Sequence, residues 1–220
     1  MKILAIDTSS SVCSTALLED NNLIDEISLD DGRTHSENLM PLVKELLERN
    51  NINLSEINLI AVSCGPGSFT GIRIGISSVK AMAEVYNIPV AEVTSLETLA
   101  AKDVSEKNKI TLIDAKNNQV YAGIFDKGYN LLEEYMADDI NIIFEKIVRY
   151  SNSICIGNGA ELHKCILEKI EGISFLENNS QSAFCTGKIG YKKYLENNLK
   201  NADTIMPIYL RKSQAERMKK

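Results

Sequence analysis

Two aspartates at the ends of apolar runs are the first residues in this chain that could do chemistry. Asp7 ends one run and is followed by Thr8 and Ser9, and Asp114 ends a second run of the same kind. Two such turns, facing each other across a cleft, could hold a nucleotide phosphate together with a metal ion. The alternative is that each aspartate caps its own turn. The second turn lacks the hydroxyl groups of the first, which weakens a symmetric phosphate clamp.

A glycine-rich turn, GPGSFTGIRIG over residues 65–75, is the most distinctive segment. It follows an apolar run that predicts a buried strand over residues 59–64, and it precedes a predicted helix over residues 72–86. Backbone N–H groups in such a turn can hold an anion at Gly65 and Gly67, or the turn can let another backbone approach closely. It is not a P-loop, because no lysine follows Gly71, and it does not fit GxGxxG. Both alternatives stay open.

Small residues lie on one face of the helix that follows this turn. Gly71, Gly75 and Ser78 are spaced at i, i+4 and i+7. A glycine inside a helix costs about 1 kcal/mol relative to alanine, so two of them need a reason. Close packing against the chain's own sheet and close packing against another subunit explain them equally well.

Residue types that usually carry catalysis are sparse. His35 and His163 are the two histidines, neither lies in HExxH, and the five cysteines contain no CxxC pair. No serine lies in a GxSxG elbow. Cys64 is the best nucleophile candidate by position, although a buried core cysteine is the favoured interpretation. The sequence therefore predicts no catalytic residue and no metal ligand.

Composition excludes several functional classes. The chain has 220 residues, 44% of them apolar, and a net charge of −6, so we do not expect it to bind nucleic acid alone. The segment 207–220 has a net charge of +4 and could touch RNA or an acidic partner, although a solvated tail is more common. We expect no signal peptide, no membrane span and a cytoplasmic location.

The order of predicted elements repeats along the chain. After residue 108 the chain repeats the order of apolar runs and hairpin turns found in the first half, and this second series also ends with a glycine turn. Its segments are Ile110–Asp114, Val120–Phe125, Leu131–Glu134, Ile140–Tyr150 and Ile154–Gly159. Thr34 and Glu37 predict a capping box for the first long helix. Pro41 should bend that helix or mark a later start. We predict a duplicated α/β fold with mixed sheets, divided into residues 1–104 and 105–220, the latter with the basic tail.

Four segments together resemble the bacterial TsaB (YeaZ) family: Ile3–Ser9, Gly65–Gly75, Leu112–Tyr121 and Pro207–Arg211. The resemblance covers nearly the whole chain, and the segment GPGSFTGIRIG is its most specific part. It implies an actin-like (ASKHA) fold built from two ribonuclease-H-like halves.

The resemblance also implies a role. Members act in the formation of N6-threonylcarbamoyladenosine at adenosine 37 of tRNAs that read ANN codons, as a non-catalytic dimerisation subunit. The catalytic subunit is a TsaD-like paralogue that transfers the threonylcarbamoyl group from threonylcarbamoyl-AMP, and a small TsaE-like ATPase completes the complex. The chain alone would form a homodimer and reach tRNA only through the complex. No intrinsic cofactor is implied, although ATP or ADP at the complex interface stays open.

Residue roles follow from the same resemblance. The partner interface would lie on the first two long helices, at Leu39, Leu42, Val43, Leu46, Gly71, Ile72, Gly75, Ser78, Val79 and Met82. A vestigial nucleotide or anion site would lie at Asp7, Thr8, Ser9, Gly65, Gly67 and Asp114. The catalytic paralogue carries a metal-binding HxxxH, and Ser95 and Leu99 stand at the corresponding places here. The alternatives are a small actin-like ATPase or kinase that uses Asp7 and Asp114, or, least favoured, a peptidase.

Overall fold

The computed structural model describes residues 1–211, and the chain divides into two compact units. Unit 1 contains Met1–Thr98 and Gln181–Ile208, and unit 2 contains Leu99–Ser180 together with the described residues from Tyr209 onward. The basic residues Lys212, Arg217, Lys219 and Lys220 of the predicted tail lie outside the described residues. Within residues 1–211, no helix is long and apolar enough to cross a membrane.

Unit 1 is built on a mixed sheet of five strands: β1 Lys2–Asp7, β2 Cys13–Glu19, β3 Asn22–Leu29, β4 Leu59–Ser63 and β5 Val90–Val93. The strand order is β3-β2-β1-β4-β5. β1 pairs antiparallel with β2 and parallel with β4, with Ala5 opposite Ala16 and Ala61. The helices of this unit are α1 His35–Arg49, α2 Phe69–Tyr86, α3 Ser95–Ala100 and, much later in the chain, α7 Ala183–Leu195.

Unit 2 repeats this plan with strands β6 Lys109–Asp114, β7 Gln119–Phe125, β8 Met136–Asp139, β9 Ile154–Ile156 and β10 Ser174–Phe175. The order β10-β9-β6-β7-β8 is the same as in unit 1 when β6 is matched to β1. Its helices are α4 Ile140–Ile147, α5 Asn158–Leu162 and α6 Lys164–Leu167. The predicted mixed α/β duplication is therefore confirmed.

Local signals fix the start of each long helix in unit 1. The Thr34 backbone N–H donates to Glu37 Oε2 at 3.0 Å, so α1 begins at His35 and Pro41 lies inside it. The later start that Pro41 suggested is therefore wrong. Ser68 caps α2, where its Oγ accepts from Gly71 N at 3.2 Å. A capped first turn satisfies N–H groups that have no partner within the helix.

The third strand of unit 2 differs from the prediction. The sequence suggested Leu131–Glu134, but the strand is Met136–Asp139, and Leu131 forms an isolated bridge to Phe125. The apolar pair Leu131 and Leu132 misled the interpretation because both side chains are about 40% exposed rather than buried. The loop before the strand is therefore longer than in unit 1.

The sheet of unit 1 is covered on both faces. Leu4, Ile6 and Val62 point to the face covered by α1 and α2. On the opposite face Ile3, Ala5 and Ala61 pack with Ala183 at the start of α7. The division at residues 104 and 105 drawn from the sequence thus differs from the structure, because α7 returns to cover unit 1.

Candidate functional site

The turn after β1 holds the most buried carboxyl group of unit 1. Asp7 is fully buried, and its Oδ1 accepts from the backbone N–H of Ser9 at 2.8 Å and from Ser9 Oγ at 2.7 Å. Thr186 Oγ1 on α7 donates to Oδ2 at 3.4 Å. Burial raises the pKa of Asp7, and the hydrogen bonds from Ser9 oppose that rise. Asp7 therefore caps its own turn and favours the neutral form more than an exposed aspartate does.

The glycine turn is filled by the chain's own backbone. Ser68 N donates to Ser9 O at 2.8 Å, and a Cβ atom on Gly67 would lie 2.2 Å from the same oxygen. Thr8 Oγ1 donates to Gly71 O at 2.8 Å. The N–H of the N-cap residue Ser68 is therefore taken by a backbone carbonyl oxygen, and that of Gly71 by the Ser68 hydroxyl, so fewer N–H groups at the start of α2 are left for a phosphate.

Gly71 and Gly75 also pack closely against the turn after β1. A Cβ atom on Gly71 would lie 2.0 Å from Thr8 O, and one on Gly75 would lie 2.4 Å from Thr8 Oγ1. Of the two explanations left open by the sequence, close packing within the chain is the one the structure contains. These glycines let the turn after β1 pack onto α2, and their predicted place in a partner interface stays a prediction.

The other predicted interface residues are mostly core residues as well. Each of them is at most 6% exposed and packs in the cluster between the sheet and the two helices: Leu39, Leu42, Val43, Leu46, Ile72, Val79 and Met82. Ser78 is the exception, since it is half-buried and lines a surface groove. A stripe that faces the chain's own sheet and a stripe that faces a partner have the same spacing, so the spacing alone does not separate the two, and the predicted interface stays a prediction.

The outer sides of α1 and α2 form that groove, which we call the α1–α2 groove. It is lined by His35, Ser36, Leu39 and Met40 of α1 and by Thr70, Arg73, Ile74, Ser77 and Ser78 of α2. Met40 is 46% exposed although it is an apolar residue in mid-helix. Farther along α2, Val85 is 72% exposed. The sequence analysis missed this face. Met40, Ile74 and Val85 could have indicated it, because these apolar residues do not lie at the spacing of the buried residues on their helices.

His35 supports the groove rather than a metal. Its Nε2 lies 2.8 Å from Ser10 O, so this nitrogen carries the proton and donates. The ring lies against Gly71, where a Cβ atom would be 2.8 Å from His35 Cδ2. Among the described residues, no group of three or more His, Cys, Asp or Glu is placed to hold a metal ion.

The remaining positions considered for metal binding or catalysis hold no reactive group. Ser95 is fully buried, with its Oγ 3.0 Å from Ser63 Oγ, and Leu99 has no donor atom. Burial raises the pKa of Cys64 to about 12, and its Sγ donates to Val62 O at 3.6 Å. The thiol is therefore protonated at neutral pH and is not a nucleophile.

Asp114 ends β6 of unit 2 as Asp7 ends β1 of unit 1, but its environment differs. Its carboxylate accepts from Lys116 N at 2.8 Å and from Lys116 Nζ at 2.7 Å. Partial burial opposes ionisation, but the contacts with Lys116 outweigh it and hold the pKa of Asp114 below its usual value. The two aspartates are therefore chemically unlike, as expected if each serves its own turn.

The duplicated mixed sheets define the class of protein, and comparison with solved structures gives the fold its name. The fold matches YeaZ from Pseudomonas aeruginosa with a TM-score of 0.81 at 23% identity, over 95% of this chain and 99% of that one. A ROK hexokinase from Thermus thermophilus matches with a TM-score of 0.52 at 10% identity, over 89% of this chain and 100% of that one. The chain has an actin-like (ASKHA) fold.

Sequence comparison then gives the family. The family model described as TsaD, tRNA N6-adenosine threonylcarbamoyltransferase, matches residues 30–219. The tRNA threonylcarbamoyladenosine biosynthesis protein TsaB of Bacillus subtilis is 31% identical over 98% of this chain and 96% of its own length. The chain belongs to the family that this model describes and, with such relatives, to the TsaB (YeaZ) family.

Proposed function

We propose that this chain is a non-catalytic subunit required for forming N6-threonylcarbamoyladenosine in tRNA, and that its α1–α2 groove binds the catalytic TsaD-like paralogue. The chain matches relatives named tRNA threonylcarbamoyladenosine biosynthesis protein TsaB over almost their full length. A TsaE-like ATPase would complete the complex, and the chain alone would use the same groove in a homodimer.

One observation carries the non-catalytic role. The carbonyl oxygen of Ser9 lies at the N-terminus of α2, where the N–H of the N-cap residue Ser68 donates to it at 2.8 Å. A phosphate held at a helix N-terminus needs free backbone N–H groups there. A nucleotide at the complex interface, such as ATP or ADP, would therefore have to be held mainly by the partner.

The composition of the α1–α2 groove supports a helical partner. Ile74, Ser77, Ala81 and Val85 recur along the outer side of α2 at the spacing of a packing helix. Ser77 and Ala81 are small and exposed, so a second helix can come close to α2 between them. Apolar Met40 on α1 faces the same groove. Exposed apolar and small residues in one groove are typical of helix packing between subunits.

The test is a charge placed in the groove. Met40→Arg should weaken binding to the purified paralogue at least about tenfold, because a cation would be buried without a partner. Ile142→Arg is the matched control, since Ile142 lies on α4 of unit 2 and is 48% exposed against 46% for Met40. Binding is measured by calorimetry and the fold by urea unfolding.

A second variant separates the effect on binding from any effect on the stability of the fold. Ser77 is exposed, so Ser77→Arg should leave the stability unchanged and still weaken binding. If both groove variants bind the paralogue as tightly as the wild-type chain does, the interface lies elsewhere and the proposal is wrong.

A further inference from the structure

We propose that Thr8 is a positioning residue for the α1–α2 groove: it sets the spacing of the two helices and thereby controls how tightly the groove binds its partner. The inference rests on the proposed function. Thr8 is fully buried, so it lies out of reach of a partner. It belongs to the turn after β1, which we call the β1 turn (residues 8–10). Any effect of Thr8 on binding must therefore act through the helices.

Thr8 contacts the first two turns of α2. Its Oγ1 donates to Gly71 O at 2.8 Å. A Cβ atom on Gly71 would lie 2.0 Å from Thr8 O, and one on Gly75 would lie 2.4 Å from Thr8 Oγ1. The two glycines thus bring the backbone of α2 into direct contact with one residue. The position of α2 therefore depends on the size and the chemistry of the side chain at position 8.

The other two residues of the β1 turn contact the starts of both helices. Ser9 O accepts from the N–H of Ser68, the N-cap of α2, at 2.8 Å. Ser10 O lies 2.8 Å from Nε2 of His35, the first residue of α1. One turn that belongs to neither helix therefore fixes how far apart α1 and α2 begin.

The β1 turn is itself held firmly in unit 1. Asp7 accepts from the backbone N–H and from the hydroxyl group of Ser9, at 2.8 and 2.7 Å. Asp7 and Thr8 are fully buried, and Ser9 is 3% exposed. Buried polar groups keep their hydrogen bonds because an unpaired one costs free energy. The β1 turn is therefore a fixed support, and a change at Thr8 displaces α2 rather than the turn.

Exchange of the Thr8 hydroxyl for a methyl group should widen the groove. In Thr8→Val a methyl carbon takes the place of Oγ1, 2.8 Å from Gly71 O. Carbon approaches a carbonyl oxygen only to about 3.3 Å, so the start of α2 must move outward by roughly half an ångström. A gap of about that size removes a quarter or more of the van der Waals attraction between packed atoms. A partner that packs on both helices would lose part of its contact with one of them.

The experiment measures affinity for the purified paralogue by calorimetry, and amide hydrogen exchange in the free chain. Residues that act on binding without touching the ligand change affinity by about two- to thirtyfold, so Thr8→Val should lower it about fivefold. The N–H groups of Gly71 and Ile72, both bonded to Ser68, should exchange faster. Thr8→Ser keeps the donor and should restore both properties to those of the wild-type chain.

The matched control removes a buried hydroxyl group from the opposite side of the sheet. Thr98 is fully buried, and its Oγ1 lies 3.0 Å from Oγ1 of Thr186 on α7. Thr98→Val should lower the urea midpoint as Thr8→Val does, because each loses one buried hydrogen bond. It should leave the affinity for the paralogue and the exchange at the start of α2 unchanged. The control thus separates the position of α2 from the stability of unit 1.

A second variant covers the case in which Thr8→Val does not fold. Thr8→Ala removes the hydrogen bond to Gly71 without adding a methyl group at that place. It should still lower the affinity about twofold and speed the same exchange, because α2 is held less firmly.

The outcomes separate this inference from the proposed function. If Met40→Arg and Ser77→Arg both bind the paralogue as tightly as the wild-type chain does, the proposed function falls and this inference falls with it. If they weaken binding while Thr8→Val, or Thr8→Ala in its place, binds normally, the inference alone is wrong. An equal loss of affinity in Thr98→Val, or unchanged exchange at the start of α2 in the Thr8 variants, would also contradict it.

Discussion

Asp7 shows how a residue type suited to phosphate chemistry can serve structure instead. Its carboxyl group lies among the hydroxyls of Ser9, Ser63 and Thr186, and no basic side chain within residues 1–211 is hydrogen-bonded to it. Burial without an opposite charge favours the neutral form. A carboxyl group held in this way is poorly suited to bind a metal ion, which agrees with the proposed non-catalytic role.

The first prediction is a pH dependence of stability with a defined sign. The pKa of folded Asp7 is raised above 3.8, so its favourable contribution is full below that pH and is lost as the pH rises through the folded-state pKa. Asp7→Asn does not titrate. Its stability relative to the wild-type chain should therefore increase above about pH 4, by at most about 1.4 kcal/mol per pH unit. Urea unfolding at a series of pH values measures this.

Asp114→Asn is the comparison for that series. The folded-state pKa of Asp114 is lowered, so its contribution is present above about pH 4 and is lost as the pH falls further. The stability difference should thus be constant at higher pH and shrink in acid. A constant difference for Asp7→Asn between about pH 4 and pH 8 would mean that the buried carboxyl group is not disfavoured in its ionised form.

At the scale of elements, the sequence predicts the helices and strands that are determined by nearby residues. It does not predict packing between segments that are far apart in the chain. Thr34 and Glu37 predict the start of α1, and the runs ending in Asp7 and Asp114 predict β1 and β6. These signals lie within a few residues of the structure they determine. The direction of the stripe on α1 could not be predicted, because it depends on which sheet covers it. The return of α7 to unit 1 depends on contacts between residues about 180 positions apart, such as Asp7 and Thr186.

The second prediction follows from that return. Residues 1–98 joined by a short flexible linker to residues 181–208 should fold cooperatively, whereas residues 1–104 alone should not. Without α7, the sheet face containing Ile3, Ala5 and Ala61 is exposed to water. The two ends are close enough to join, since Gln181 Nε2 at the start of the second segment donates to Ser95 O, near the end of the first, at 3.3 Å.

Circular dichroism and urea unfolding distinguish the two fragments. The joined fragment should show a single cooperative transition, and the shorter one a broad transition with binding of a hydrophobic dye. Cooperative unfolding of residues 1–104 at a similar urea concentration would show that α7 is not part of the folding unit.

At the scale of the whole molecule, the chain has an actin-like fold, and two positions where the sequence suggested chemistry hold a backbone carbonyl group and a buried thiol. Ser9 O fills the turn before α2, and Cys64 is a buried thiol. The resemblance to a known family predicted the fold and the family from a few segments, above all residues 65–75. It did not predict which side of α1 and α2 is exposed, since family membership carries no information on the packing of single side chains.

The most direct test of the central claim is threonylcarbamoyladenosine formation in a mixture of tRNA, threonylcarbamoyl-AMP, the paralogue and the ATPase. The account predicts full activity with the wild-type chain and with Ile142→Arg. With Met40→Arg, activity should fall to the level seen without this chain, because the subunits no longer bind. Modification of tRNA by the isolated chain, or full activity with Met40→Arg at limiting concentration, would contradict the account.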